Sequence, residues 1–217
     1  MRFGRKNSDS EPAVEVSSPA EEGAGVEEAQ TPRPTYGPHD LADVEYDEDD
    51  PTKVDLGALI VTGRPDVELR LQVDEGSGAV AAALLVNQEG AVELRAFAAP
   101  RNGSIWDDVR KSIRSEAARQ GGTATEVDGP WGTELHVVVT GQDERGQTVT
   151  QPSRITGISG PRWLLRATFF GKPATEPDPD HPLEQALRDV IVVRGNEAMA
   201  PGEFLPMHLP ANAQRMG

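Results

Sequence analysis

QPSRITGISGPRWLLRATFFG, residues 151–171, is the stretch on which the reading of this chain turns. It reads as two strands joined at Ser159-Gly160-Pro161, a turn signal flanked by alternating residues. It holds Trp163, Phe169 and Phe170 in a chain with only three Trp, two Tyr and five Phe, so a core is expected to gather around it. On the second strand, Trp163, Leu165, Ala167 and Phe169 share one face, expected inward. Arg162, Leu164, Arg166 and Thr168 share the other, because side chains alternate along a strand.

Working outward, residues 133–140 alternate in the same way, with Leu135, Val137 and Val139 expected inward and Glu134, His136 and Val138 outward. Just before them, Asp128-Gly-Pro-Trp-Gly132 is a turn that holds Trp131, either as an exposed anchor or as a lid over one end of the sheet. Residues 66–74 place Val67, Leu69, Leu71 and Val73 opposite Glu68, Arg70 and Gln72, and 79–86 and 91–98 read as further strands around Gly-rich turns. Leu56, Ala58 and Ile60 suggest one short strand more. Ser104 with Asp107 three residues on can cap a helix in which Trp106, Val109, Ile113 and Ala117 form an apolar stripe, and Gly121-Gly122 ends it. Pro182 opens a second helix over 183–190. The fold expected is α+β: a single twisted antiparallel sheet with two helices covering one face, preceded by a disordered acidic tail.

Composition sets the limits of that domain. The 217-residue chain carries a net charge of −15. Residues 1–52 account for −10 of it, with fourteen acidic and four basic side chains. Such a segment buries too little apolar surface to offset roughly 1–2 kcal/mol per residue of backbone entropy, so disorder is expected there. The expected division is 1–52 as tail, 53–195 as folded domain and 196–217 as an extended C-terminal segment. Within the tail, Leu41, Val44 and Tyr46 punctuate an acidic run. The absence of cysteine removes disulfides and thiolate chemistry. No run approaches the ~20 apolar residues of a membrane span, and no signal peptide follows the MRFGRK start, so a soluble, cytoplasmic protein is expected. The acidic balance argues against nucleic acid as a partner, since neutralising phosphates needs clustered Lys and Arg.

Little in the sequence carries chemistry. The four histidines, His39, His136, His181 and His208, are too scattered for a metal site, and no cofactor fingerprint is present. Gly157-x-x-Gly160 and Gly129-x-x-Gly132 mark turns, since neither opens a helix after a strand. Asp178, Asp180 and Glu184 form a small acidic cluster that suits a cation or a helix start equally well. No catalytic residue is expected. The candidate binding surface is the polar outer face of the sheet, where Glu134 and His136 are joined by Arg154, Arg162 and Arg166, with Trp131 beside them. Guanidinium groups gathered there would accept a carboxylate or phosphate.

Taken whole, from MRFGRK through DGPWGTEL, SRITGISGPRWLLRATFFG and LEQALRDVIVVRG to LPMHLP, the chain resembles an uncharacterised actinobacterial family known only as a domain of unknown function. That resemblance implies no activity. The order of helix, Gly-punctuated hairpin, W-L-L-R-A-T strand and short helix also resembles the PsbP-like α+β fold, which implies a binding and assembly role without catalytic residues of its own. The function expected is a non-catalytic binding or adaptor protein with a protein partner. The alternatives are a chaperone or assembly factor, and an enzyme acting on a small anionic metabolite around His136.

Overall fold

The computed structural model describes residues 37–142 and 148–210, which lie within one compact unit of the chain. Most of the expected tail, the polar loop at 143–147 and the last seven residues lie outside the described residues. In chain order the elements are β1 (His39–Asp40), a 3-10 turn (Leu41–Asp43), β2 (Lys53–Asp55), β3 (Leu59–Thr62), β4 (Glu68–Val73), β5 (Val80–Val86) and β6 (Gly90–Ala98). Then follow α1 (Trp106–Arg119), β7 (Thr123–Gly129), β8 (Gly132–Gln142), β9 (Thr148–Gly160), β10 (Trp163–Gly171), α2 (Lys172–Thr175), α3 (Pro182–Arg188) and β11 (Ile191–Val192).

These strands form two sheets. The larger is a seven-stranded antiparallel sheet in the order β4-β5-β6-β10-β9-β8-β7, so β10 lies at its centre. The smaller, β1-β11-β3-β2, contains one parallel pair, β1 with β11. The expected single sheet with both helices on one face is therefore corrected: the protein is mostly β, with two sheets, and its helices cover opposite faces of the larger one. Short strands at both ends of the chain build the small sheet, and sequence alternation does not show which distant segments will pair.

Pairing register assigns the faces. Trp163, Leu165, Ala167 and Phe169 lie opposite Ala98, Ala96, Leu94 and Val92 on β6. With Ala83 and Leu85 of β5 they meet Leu59, Val61 and Val192 of the small sheet, Leu183 and Leu187 of α3, and Leu205. This is the main core, and each fully buried Leu contributes roughly 1.5–3 kcal/mol. On the other face, Phe97, Leu135, Val137, Ile155 and Leu164 pack under α1 through Trp106, Val109, Ile113 and Ala117, the expected stripe. Ser104 Oγ accepts the Trp106 N–H at 3.0 Å and bonds Ser159 Oγ at 2.7 Å, which fixes the start of α1 against β9.

Two tryptophans explain the glycines of TGISG. A Cβ on Gly157 would lie 2.3 Å from the Trp106 ring on the α1 face, and one on Gly160 would lie 2.0 Å from the Trp163 ring on the core face. Each ring is also tied by its N–H, Trp106 to the Thr133 carbonyl at 2.8 Å and Trp163 to Asp40 Oδ2 at 2.6 Å. Residues 37–43, grouped by composition with the tail, thus lie against the domain. The C-terminal segment is incorporated too. Glu203 and Leu205 exchange backbone hydrogen bonds with Ala98 and Ala96, along the part of β6 that β5 leaves unpaired, and Leu205 is buried.

Candidate functional site

Charged side chains meet on both faces of the central strands. The first cluster is on the core face. The turn from β7 into β8 passes through Gly129 and Gly132, the latter at φ 94°, and brings Trp131 back over β8. Its backbone N–H donates to Glu134 Oε1 at 3.2 Å, and its indole N–H donates to Glu184 Oε2 at 2.7 Å. Gly129 is required because a Cβ there would meet the Glu134 carboxylate at 2.4 Å. Arg154 on β9 reaches Glu134 Oε2 at 3.0 Å, Glu184 Oε1, and the Pro173 carbonyl at 3.0 Å, with its guanidinium 3.9 Å above the Phe169 ring. Arg154 and Glu184 are 0% exposed and Glu134 is 1%. Every nitrogen of the guanidinium is engaged, which a buried cation needs.

α3 presents Glu184 because its first turn is anchored from outside. His181 caps the helix by accepting the Leu183 N–H at Nδ1, and its Nε2 lies 3.0 Å from Glu89 Oε2 in the β5–β6 turn. Leu183, Ala186 and Leu187 then enter the core and carry Glu184 inward with them. With two carboxylates for one guanidinium, the cluster has surplus negative character. Burial pushes the Glu134 carboxyl above the ordinary glutamate range, opposed by Arg154 and the Trp131 N–H and reinforced by Glu184.

The second cluster is on the α1 face, over the half of the sheet that α1 leaves uncovered. Arg95 and Arg166 are directly opposite across β6 and β10, and Glu93 is opposite Thr168. Arg95 takes both oxygens of Glu93, at 2.8 and 3.3 Å, while Arg166 stays 3.7 Å from the nearer one. Arg95 and Arg166 side chains are 26% and 22% exposed. Further out, Arg70 pairs with Glu68 at 2.7 Å on β4. Burial, and then Arg95, lower the Arg166 pKa from its ordinary value, with Glu93 opposing.

The residues singled out in the sequence are thus divided among different places. Trp131, Glu134 and Arg154 come together, but in the interior. His136 follows on the same face, half-buried and directly across from Arg154 and Thr125, outside the hydrogen-bonded network. Arg162 occupies the β9–β10 turn at φ 62°; its guanidinium donates to the Gly195 carbonyl at 2.7 Å, and its own carbonyl accepts from Ala99 and Arg194. Arg166 alone of the three arginines lies on an open face. Asp178 and Asp180 stay on an exposed turn, apart from Glu184. Among the described residues no group of three or more His, Asp or Glu is arranged to hold a metal ion, and no helix is long and apolar enough to cross a membrane.

Sequence reading grouped Glu184 with Asp178 and Asp180 and missed its pairing with Arg154, and it left Glu93 and Arg95 out of the candidate surface. The signal that would have found the first is the β9–β10 turn. Centring it on Gly160 places Arg154 opposite Arg166. The turn residues are instead Pro161 and Arg162, between the pair Gly160 and Trp163, in the Pro-then-positive-φ order of a type II turn. Arg154 then falls opposite Phe169, on the core face.

The family model described as "Protein of unknown function (DUF3710)" matches residues 37–216, most of the chain. The chain belongs to the DUF3710 family. That match takes in both sheets and both clusters, so the charged groups described above all lie in the DUF3710 domain. Neither an actinobacterial origin nor a PsbP-like fold follows from it. None of the curated proteins matches this chain. A crystal structure from Bacteroides thetaiotaomicron VPI-5482 is 13% identical with a TM-score of 0.37, covering 64% of this chain and 47% of the other. A likeness of that size carries no argument.

Proposed function

We propose that this DUF3710 protein is a non-catalytic binding domain that docks a protein partner on the uncovered, polar half of the α1 face, around Arg70, Glu93, Arg95 and Arg166. One observation supports the reading above others: a guanidinium surplus reaches solvent there, with the Arg95 and Arg166 side chains partly exposed, in a chain of net charge −15. Such a local patch orients an acidic partner while the rest of the surface repels it. The sealed cluster supports it from the other side, because Glu134, Arg154 and Glu184 hold the sheet and α3 together and meet no solute. Affinity capture by the full-length chain tests the proposal. A partner held by the wild type should be lost by R166E and kept by K111E on α1. A partner kept equally by R166E would sink the reading.

A second reading, client capture by strand addition, is favoured by β7. It is an edge strand, with its outer backbone groups unpaired by any described strand, and a groove of about 530 Å³ separates it from α1. Lys111, Arg114, Ser115 and Ala118 wall the groove on the helix side, with Thr123 and Ala124 opposite. Exposed edges of this kind accept extended segments. Aggregation-suppression assays on wild type and A124P, whose substitution removes an outward-facing N–H of β7, separate the readings: a holdase effect abolished by A124P supports capture, and no effect in either removes it. Neither the groove nor the cleft at Trp163 includes His136.

A further inference from the structure

Arg95 and Arg166 pose an electrostatic problem that the chain itself does not solve. Like charges directly opposite each other across a strand pair destabilise a sheet, and here two guanidinium groups face one another across β6 and β10. One carboxylate stands between them. Glu93 gives both of its oxygens to Arg95, at 2.8 and 3.3 Å, and its remaining approach to Arg166, 3.7 Å, exceeds a hydrogen bond. The next carboxylate along the face, Glu68 on β4, is held by Arg70 at 2.7 Å. Among the described residues, Arg166 is therefore a cation with no hydrogen-bonded counter-ion. Its Nε is buried without any hydrogen-bond partner, although the side chain as a whole reaches solvent. An orphaned buried donor is destabilising, and one on a charged group more so. The Phe97 ring, 5.4 Å from the guanidinium carbon, backs the group from one side. The geometry leaves one missing element: an acceptor with at least two oxygens and a negative charge.

We propose that Arg95 and Arg166 form an oxyanion site, completed by a carboxylate side chain of the docked partner. This rests on the reading that the open half of the α1 face is a docking surface and names the chemistry it selects. A planar carboxylate fits because a guanidinium offers parallel N–H donors along one edge, so its two oxygens take the two terminal nitrogens of Arg166, while Nε stays buried behind them. Its charge brings the set to two cations and two anions, the balance that the sealed cluster on the opposite face also lacks, in the opposite sense. Burial first and the facing Arg95 second lower the Arg166 pKa, against the opposing pull of Glu93.

The test uses the full-length chain and two probes, sodium acetate and inorganic phosphate, followed by ¹H–¹⁵N spectra of the arginine Nε–H groups at constant ionic strength set with chloride. Acetate should move the Arg166 Nε–H signal saturably and downfield, the Arg70 signal should stay in place, and R95Q should weaken the acetate response at least threefold. A saturable response to phosphate with none to acetate would overturn the carboxylate assignment. A linear, unsaturating drift at Arg166, equal to that at Arg70, would overturn the site altogether. Because the wild-type titration needs no variant, a poorly folded R95Q leaves the decision intact. If acetate binds but R166E still captures the partner, the docking reading fails and the site stands; if R166E loses the partner but acetate does not bind, the site fails and the docking reading stands.

Discussion

Arg154 and Arg166 sit on neighbouring strands of one sheet, on opposite faces, and their surroundings are inverted. Arg154 has two carboxylates, a carbonyl and an aromatic ring around it and is wholly buried. Arg166 shares one carboxylate with a second arginine and reaches solvent. The sealed set has an anion too many, and the open set has a cation too many. Inside the protein, burial and the neighbouring Glu184 work against ionisation of Glu134 and raise its pKa, opposed by Arg154 and the Trp131 N–H. An imbalance at the surface is available to another molecule. The difference teaches that the same residue types serve architecture on one face and recognition on the other, and that burial separates the two roles.

The contrast breaks most severely at Arg154. R154A leaves two buried carboxylates facing one another, so it should cost about 3–5 kcal/mol, or prevent folding, as read by urea unfolding. If R154A unfolds near the wild-type midpoint, the sealed cluster is not what anchors α3. G157A should cost about 1–3 kcal/mol, because the Trp106 ring fills the space a methyl would need and α1 must lift from the sheet. Loss of Trp106 near-UV ellipticity accompanies it. An unchanged thermal midpoint in G157A would mean that α1 is seated by its other contacts.

Glu134 sharpens the comparison through pH. A carboxyl whose folded pKa is raised binds its proton more tightly in the native state than in the unfolded one. Its contribution to stability is therefore fully present below the unfolded value and is lost as pH rises through the folded value. E134Q carries no such loss, so its stability relative to wild type should improve as pH is raised from about 4 towards neutrality. Parallel stability curves for the two proteins would show that Glu134 has the same pKa in the folded and unfolded states. The smallest effect belongs to Arg166. R166Q relieves a like-charge pair and gives up a distant ion pair, so its unfolding midpoint should lie within about 1 kcal/mol of wild type. A larger loss would make the open cluster structural after all.

Much of this fold is legible from local pattern. Alternation marks β4, β6, β8 and β10, and a stripe at helical spacing marks α1 with Trp106, Val109, Ile113 and Ala117 on its buried side. What the pattern withholds is pairing between distant segments. His39–Asp40 lies parallel to Ile191–Val192, and Leu205 bonds to Ala96, and neither partner is marked in sequence. The polar side of β8 is the instructive case. Glu134 and His136 alternate with Leu135 and Val137, which reads as one wet face and one dry one. In the structure both faces are packed near the middle of the strand, because α1 covers one and α3 with the Trp131 turn covers the other. A polar residue at such a position must find its partners in the interior, and Glu134 does. Strand alternation grouped Glu134 and Arg154, with Trp131 beside them, in a wider set of residues on an outer face of the sheet. Only the Pro161–Arg162 turn, which sets the register of β9, shows that these three belong inside.

The division between a sealed and an open arginine cluster is tested most directly by phenylglyoxal modification of the native, full-length chain, with each arginine followed by peptide mass spectrometry. Arg95 and Arg166 should react in the native protein and be protected when the captured partner is bound, and Arg154 should react only after unfolding. Modification of Arg154 at the rate of Arg166, or no protection of Arg166 by the partner, would contradict the account.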